Sequence, residues 1–421
     1  MSTNDLDRQL AGWFESAGLE YVPDGLLDDV YGVTRTSRQR RGSLGRLMAA
    51  AAGWWRAPAI LRVAPQRVFY LVLVGLLVVA AALAIASIGG QRPAPPFGLA
   101  ANGLIAFDRD GAIVIARPDG TEVSEVTTIP DARGPVYAPD GSRFAFTGTV
   151  DGADTIMVAS ANGRDPIAIS AGIAIDALMM ETPVSWSPDS QSVVFGGLAG
   201  EQRRLFVARA DGSDTHAVGD TGLSMIDPAW SPDGAWIAVH GFHATEDAAA
   251  GEYRTSAGLY LIRPDGTEQT QLVGGTGGDF IYRKPQWLPD PSRSVLAYAI
   301  GEPQLYDIAV FDVDSMTQTV ISDEPAAELW PAWAPDGSTL AWATSDARIR
   351  VARPDGTIVR ILPPDVDYEL VWSPDGRSFL GFSDEARSAM TVMSSDGSAA
   401  TTSFPVDGTS RSHWSWQRRA P

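Results

Sequence analysis

From residue 102 onward, short apolar segments alternate with clusters of turn-forming residues, and the alternation is periodic. One phrase recurs: YAPDG at 137–141, WSPDS at 186–190, WSPDG at 230–234, WLPDP at 287–291, WAPDG at 333–337 and WSPDG at 372–376. A truncated HWSW stands at 413–416. Tyr137 to Trp414 spans 277 residues in six intervals, a period of about 46. Pro at the second turn position fixes φ, Asp suits the third, and Gly accepts a positive φ at the fourth. The phrase therefore joins two antiparallel strands, one ending in the aromatic and one starting after the turn. The second strand is apolar: FAF at 144–146, VVF at 193–195, IAV at 237–239, LAY at 296–298 and LAW at 340–342. In four copies a large apolar residue stands nine positions after the aromatic, at Phe146, Phe195, Val239 and Trp342. A constant register implies a constant packing role. Tyr137, Trp186, Trp230, Trp287, Trp333, Trp372 and Trp414 are accordingly read as structural residues of the repeat, not as a cofactor box.

A second phrase alternates with the first: IVIARPDGTEV at 113–123, then IMVASANGRD, LFVARADGSD, LYLIRPDGTE, IRVARPDGTI and MTVMSSDGSA, with a weaker IAVFDVDSMT at 308–317. Each reads as strand, turn, strand. Together the two phrases make four strands per repeat, the content of a propeller blade. The first copy of the second phrase is preceded only by NGLIAF at 102–107. Its missing partner is supplied by the strand around Trp414 and Trp416, which closes a ring of seven blades and removes the exposed sheet edges. Six blades is the competing count, because the blade containing Asp307–Val320 lacks an Asp-Gly turn. The expected fold is all-β, a seven-bladed β-propeller over 102–421.

A different pattern precedes it. Val68–Ile88 is an almost unbroken apolar run of 21 residues inside a charge-free stretch between Arg67 and Arg92. As a helix it is about 30 Å long, enough to cross the hydrocarbon core. Eight Arg and no Asp or Glu lie between Arg35 and Arg67. The positive-inside rule then places the N-terminus in the cytoplasm and the propeller outside the membrane. Within residues 1–45, Leu6, Leu10, Trp13 and Phe14 fall on one helical face, and Leu26, Leu27, Val30 and Tyr31 on another. The expected organisation is a cytoplasmic helical head (1–45), a basic juxtamembrane segment (46–67), a transmembrane helix (68–88), a linker (89–101) and the propeller.

Charge sharpens this division. The net charge of −19 separates into +3 for residues 1–92 and −22 for the remainder, where 22 basic residues face 44 acidic ones. An acidic outer region disfavours nucleic acid as a partner. The absence of Cys removes disulfides, thiolate metal sites and Cys nucleophiles.

The PDG-centred repeats, with both phrases recurring in order, resemble the TolB-type, WD40-like propeller repeat often called PD40. The resemblance covers about 315 residues and implies a propeller. It departs at Tyr137, at WLPDP, in the blade without an Asp-Gly turn, and in the closing copy. The GWFES and PDGLLDDVYGVT stretches of the head are similar to N-terminal segments of membrane-anchored bacterial propeller proteins, some of which sit beside sigma-factor systems.

In such a blade the PDG and DGT turns share one face, and the longer connections share the other. Tyr253, Arg254, Phe280, Tyr282, Arg283, Trp330 and Tyr368 lie on those connections, at 241–256, 274–284, 322–331 and 362–370, and are the aromatic and Arg anchors expected of an interface. No G-x-S-x-G elbow occurs, and His240 and His243 of the HGFH stretch point to opposite faces of a strand. The expectation is therefore a non-enzyme without cofactor or metal. Its role is read as binding a protein or cell-envelope polymer outside the membrane. The alternative is a transmembrane regulator whose head, residues 1–45, holds a cytoplasmic factor, and a third reading is a hydrolase or lyase acting at the loop face of the propeller.

Overall fold

The computed structural model describes residues 96–420 apart from 176–183, 201, 221, 243–256, 275–280, 303–304, 323–325, 347, 363–366, 383–388, 399 and 406–413. The expected head, juxtamembrane segment and transmembrane helix all lie outside these residues. Among the described residues no helix is long and apolar enough to cross a membrane.

Seven four-stranded antiparallel sheets form, one per repeat. Blade 1 joins Trp414–Arg419 to Ala101–Arg109, Ala112–Ala116 and Ser124–Glu125. Blades 2 to 7 begin with the inner strands Arg133–Tyr137, Val184–Trp186, Ser224–Trp230, Ile281–Trp287, Glu328–Trp333 and Asp367–Trp372. Blade 5 is complete, which decides for seven over six. Its missing Asp-Gly turn is replaced by Asp312, whose carboxylate accepts from the Ser315 amide and hydroxyl at 2.8 Å while Met316 takes a φ of 54°.

The turns carry the geometry their residues dictate. In YAPDG the Gly141 amide donates to the Ala138 carbonyl at 2.8 Å, and Gly141 has a φ of 69°. The Asp140 carboxylate accepts from the Ser142 amide and hydroxyl at 2.9 and 2.7 Å. The two turns of a blade are tied side by side, as where the Ala161 amide donates to the Ser142 carbonyl.

Period-2 alternation gives each blade two apolar faces, so the core is a series of layers between blades. Ile105 and Phe107 pack toward blade 7, while Ala106 and Ile113 pack toward blade 2. Phe146, Phe195, Val239 and Trp342 are all fully buried.

The closing strand shifts one assignment. Ile105 pairs with Trp416, as Phe144 pairs with Tyr137. Trp416, rather than Trp414, therefore occupies the position of the repeat aromatic. A side-chain contact agrees with this register. The Ser415 hydroxyl accepts from the Tyr137 amide of the next blade at 2.9 Å, as Ser185 does from Trp230 at 3.0 Å.

Candidate functional site

The inner strands surround the propeller axis, and their shape is set by two repeated devices. The first is an indole staple. Trp186, Trp287, Trp333 and Trp372 each donate the ring N–H to the inner-strand carbonyl of the preceding blade, at 2.9–3.1 Å: Val136, Ala229, Gln286 and Ala332. Each acceptor immediately precedes that blade's own aromatic, so the strands are locked at one height. Trp230 differs and donates to Gly234 in its own turn.

The second device is a β-bulge three residues before the aromatic. Register breaks there in blades 2, 4, 5 and 6. Gly134, Asp227, Lys284 and Trp330 occupy the bulge with φ between 50° and 64°. A side chain in this region is strained unless its surroundings hold it. Lys284 and Asp227 are buried there.

Inside the ring lies a cavity of about 340 Å³, lined by the inner strands of blades 5, 6, 7 and 1. Its wall repeats one triplet per blade: the residue before the aromatic, the aromatic, and the turn proline. Pro289, Pro335 and Pro374 fill the last position, but blade 1 has Arg418 there. Lys284 and Trp330 add their bulged side chains. Arg418 donates to the Gly98 carbonyl at 2.6 Å, and burial draws its guanidinium below the ordinary value without discharging it at neutral pH. On the turn face the Ala100 amide donates to the Pro374 carbonyl at 2.9 Å, so the irregular lead-in segment runs beside this end of the channel.

A second buried charge group lies apart from the cavity, between blades 5 and 6. Glu328 is fully buried with its carboxylate 3.6 Å from the Arg350 guanidinium. Burial pushes its carboxyl above the ordinary range, opposed by Ser322, Trp342 and Arg350. With no share in the cavity wall, it is a structural pair.

Of the anchors expected from sequence, Trp330 is brought to the cavity and also packs against the layer between blades 6 and 7. Contrary to the expected loop placement, Tyr282 and Arg283 lie in the inner strand of blade 5, Trp330 in that of blade 6 and Tyr368 in that of blade 7, because the inner strands pair further back than the sequence pattern marks; of Tyr282, Arg283 and Tyr368 only the backbones are described. Tyr253, Arg254 and Phe280 lie outside the described residues. Sequence reasoning did not find Lys284, Gln286, Trp416 or Arg418. Two signals were available: Lys284 is the sole Lys of the chain, and Arg418 stands two residues after an aromatic where other copies carry Pro. His240 is buried in strand Ile237–Phe242, its ring 5.7 Å from that of Phe242, and His243 lies outside the described residues. Among the described residues no three His, Asp or Glu are grouped to hold a metal ion.

No family model matches the chain. A curated relative, the Tol-Pal system protein TolB of Aromatoleum aromaticum, is 31% identical over 163 residues. That match covers 34% of this chain and 37% of the relative, so only about a third of the relative's length is spanned. The repeats are thus similar to those of TolB proteins, in keeping with the resemblance read from the PDG phrases. Among solved structures, oligogalacturonate lyase from Vibrio parahaemolyticus shares the fold with a TM-score of 0.53 at 13% identity, covering 74% of this chain and 88% of that one. A prolyl endopeptidase shares it at 0.50 and 14% identity, over 76% of this chain and 50% of that one. These neighbours correct the expectation of a non-enzyme. Propellers of this shape serve in a lyase and in a peptidase, so neither the fold nor the missing elbow excludes catalysis.

Proposed function

We propose that the chain is a cell-envelope propeller that holds a protein or envelope-polymer ligand at its central channel, and that residues 68–88 tether it with the propeller outside the membrane. The observation that carries this reading is the cavity itself. Four blades converge there on a concave, indole-lined space whose side chains include strained, bulged residues. Concave sites with a few convergent polar groups are the usual place for a ligand. Support comes also from the similarity to a protein named for the Tol-Pal system. Tyr253, Arg254 and Phe280, with the inner-strand residues Tyr282, Arg283 and Tyr368, belong to the same proposal as its outer contacts.

A photo-crosslinking amino acid placed at Trp330 tests the reading in the full-length protein in its native cells. The comparison position is Val359, exposed on the outer strand Ile358–Leu362. A discrete crosslinked partner from position 330 and none from 359 is the expected result. Equal capture from both positions, or capture from 359 alone, overturns it. Alkaline extraction of the same membranes tests the tether, which predicts that the protein stays with the pellet until residues 68–88 are deleted.

A further inference from the structure

We propose that Asp151–Gly152 is a self-modification site, the step at which this fold directs spontaneous conversion of aspartate to isoaspartate. The reaction uses only water and the chain itself. The Gly152 nitrogen bonds to the Asp151 side-chain carboxyl carbon, and the carboxyl hydroxyl leaves with the amide proton as water. Water then adds back to the resulting five-membered imide. Opening at the main-chain carbonyl leaves a free α-carboxylate and carries the backbone through the side chain. The mass is unchanged, but the backbone holds one extra methylene.

Glycine has no side chain to shield its nitrogen, so Asp-Gly steps are where this reaction runs. The described residues hold eleven: nine in the turns of the turn face, and Asp110–Gly111 and Asp151–Gly152 in hairpins at the opposite end. The nine are each disarmed twice. Every glycine N–H donates to the carbonyl three residues back, at 2.8–3.0 Å. Every Asp carboxylate accepts from the amide two residues on, at 2.9–3.1 Å. A carboxylate so held stays ionised, whereas imide formation expels water from the acid. Amide and hydroxyl donors draw Asp119, Asp211, Asp265, Asp355 and Asp396 below the ordinary range.

Asp151 and Gly152 escape both restraints. They form the two-residue loop between Arg143–Val150 and Ala153–Ser160, with φ of 51° and 80°, the primed turn that hairpins favour. Both are exposed. Among the described residues the Asp151 carboxylate accepts no hydrogen bond and the Gly152 N–H donates to no carbonyl. A Cβ on Gly152 would meet no atom within 4 Å. Asp110–Gly111 makes the same turn but is braced, since the Gly111 carbonyl accepts from the Ala132 amide at 2.8 Å.

The two described Asn-Gly steps react faster than Asp-Gly in a free peptide, yet both are held here. Asn162 Oδ1 accepts from the Ser160 hydroxyl at 2.8 Å, and the Gly163 amide donates to the Ser160 carbonyl at 2.7 Å. Asn102 Oδ1 accepts from the Asp375 amide at 3.1 Å, and Gly103 is buried in Ala101–Arg109.

The consequence reaches beyond the tip. An extra methylene does not fit a two-residue loop, so the pairs Val150↔Ala153 and Thr149↔Asp154 loosen. Asp154 holds Arg133, the first residue of the inner strand of blade 2, at 2.5 Å.

The test is peptide mapping of the full-length protein aged at neutral pH, with fragmentation that separates isoaspartate from aspartate, beside the same protein aged in urea. In the folded protein isoaspartate should form at 151 about 10-fold or more faster than at the nine turn steps, where two hydrogen bonds must first break. It should also precede loss of ammonia from Asn162. In urea Asn162 should react first and the Asp-Gly steps alike. Asp151→Asn should speed conversion at 151 in the folded protein, and Asp151→Ser should abolish it and leave every other step unchanged. The folded-against-urea comparison needs no variant. Isoaspartate spread evenly over the Asp-Gly steps of the folded protein, Asn162 reacting first in both states, or an intact 151 once the urea sample has converted would each overturn the proposal.

Discussion

Blade 1 and the six blades after it solve the same packing problem with different chemistry. In blades 2 to 7 the inner strand ends in an aromatic, then turns on Pro-Asp and feeds the next strand of its own sheet. In blade 1 the inner strand comes from the far end of the ring, and the sheet is joined only by hydrogen bonds and burial. Gln417 takes over the role of the turn. Its amide donates to the Gly141 carbonyl at 2.7 Å, and its side-chain oxygen accepts from the Leu104 amide at 3.1 Å. Freed from making a turn, the position of the proline can hold a charged residue. The lesson is that the seam of a closed repeat ring is where side-chain chemistry escapes the demands of the repeat.

The comparison breaks most completely if the seam is removed. Deleting residues 414–421 strips Trp414 and Trp416 from the layer shared with blade 7 and exposes the edge of Ala101–Arg109. Loss of the cooperative thermal transition, followed by circular dichroism, is the expected result. A smaller effect contrasts the same turn glycine at the seam and away from it. A Cβ on Gly141 collides with the Arg418 carbonyl, whereas on Gly234 its nearest neighbour is Pro188 Cγ at 3.4 Å. Both glycines have positive φ, so Gly234→Ala should cost about 1 kcal/mol in urea denaturation. Gly141→Ala should cost about 3 kcal/mol or more, from collision added to backbone strain. An equal cost at the two sites would mean that the seam relaxes as freely as an ordinary turn.

The smallest effect concerns the turn carboxylates. Hydrogen bonds from Ser394 and Ser398 hold the Asp396 carboxyl down at about 2. A carboxylate whose pKa is lowered on folding stabilises the fold above its ordinary value and loses that contribution as pH falls through the folded one. Asp396→Asn should therefore lower Tm slightly at pH 7, and the difference from wild type should vanish near pH 2. A difference that persists at pH 2 would assign the effect to shape rather than charge.

The turns, the strand order and the seven-fold count were legible because each rests on local chemistry repeated many times. Pro-Asp-Gly admits few backbone paths, and period-2 alternation admits one. Trp416 was mistaken for a neighbour of the key aromatic because the closing strand has no turn to anchor the alignment. Its register exists only in pairing with Ala101–Arg109. The bulges were hidden for a similar reason. Lys284 and Trp330 carry no signature of positive φ, which is imposed by the strands on either side. The cavity was the least legible feature, since Lys284 and Arg418 are far apart in sequence and come to one cavity wall only when the ring closes.

That closure also sets an order of events during synthesis. Leu104 and Gln417, which join across the seam, are 313 residues apart. At 5–20 residues per second the ribosome needs roughly 15–60 s to make the stretch between them. Throughout that interval the strand Ala101–Arg109 is present with one edge unpaired, while blades behind it can already fold. The nascent chain therefore has an open, aggregation-prone edge until its final strand emerges. Whatever shields that edge during translation acts on this protein before any ligand does.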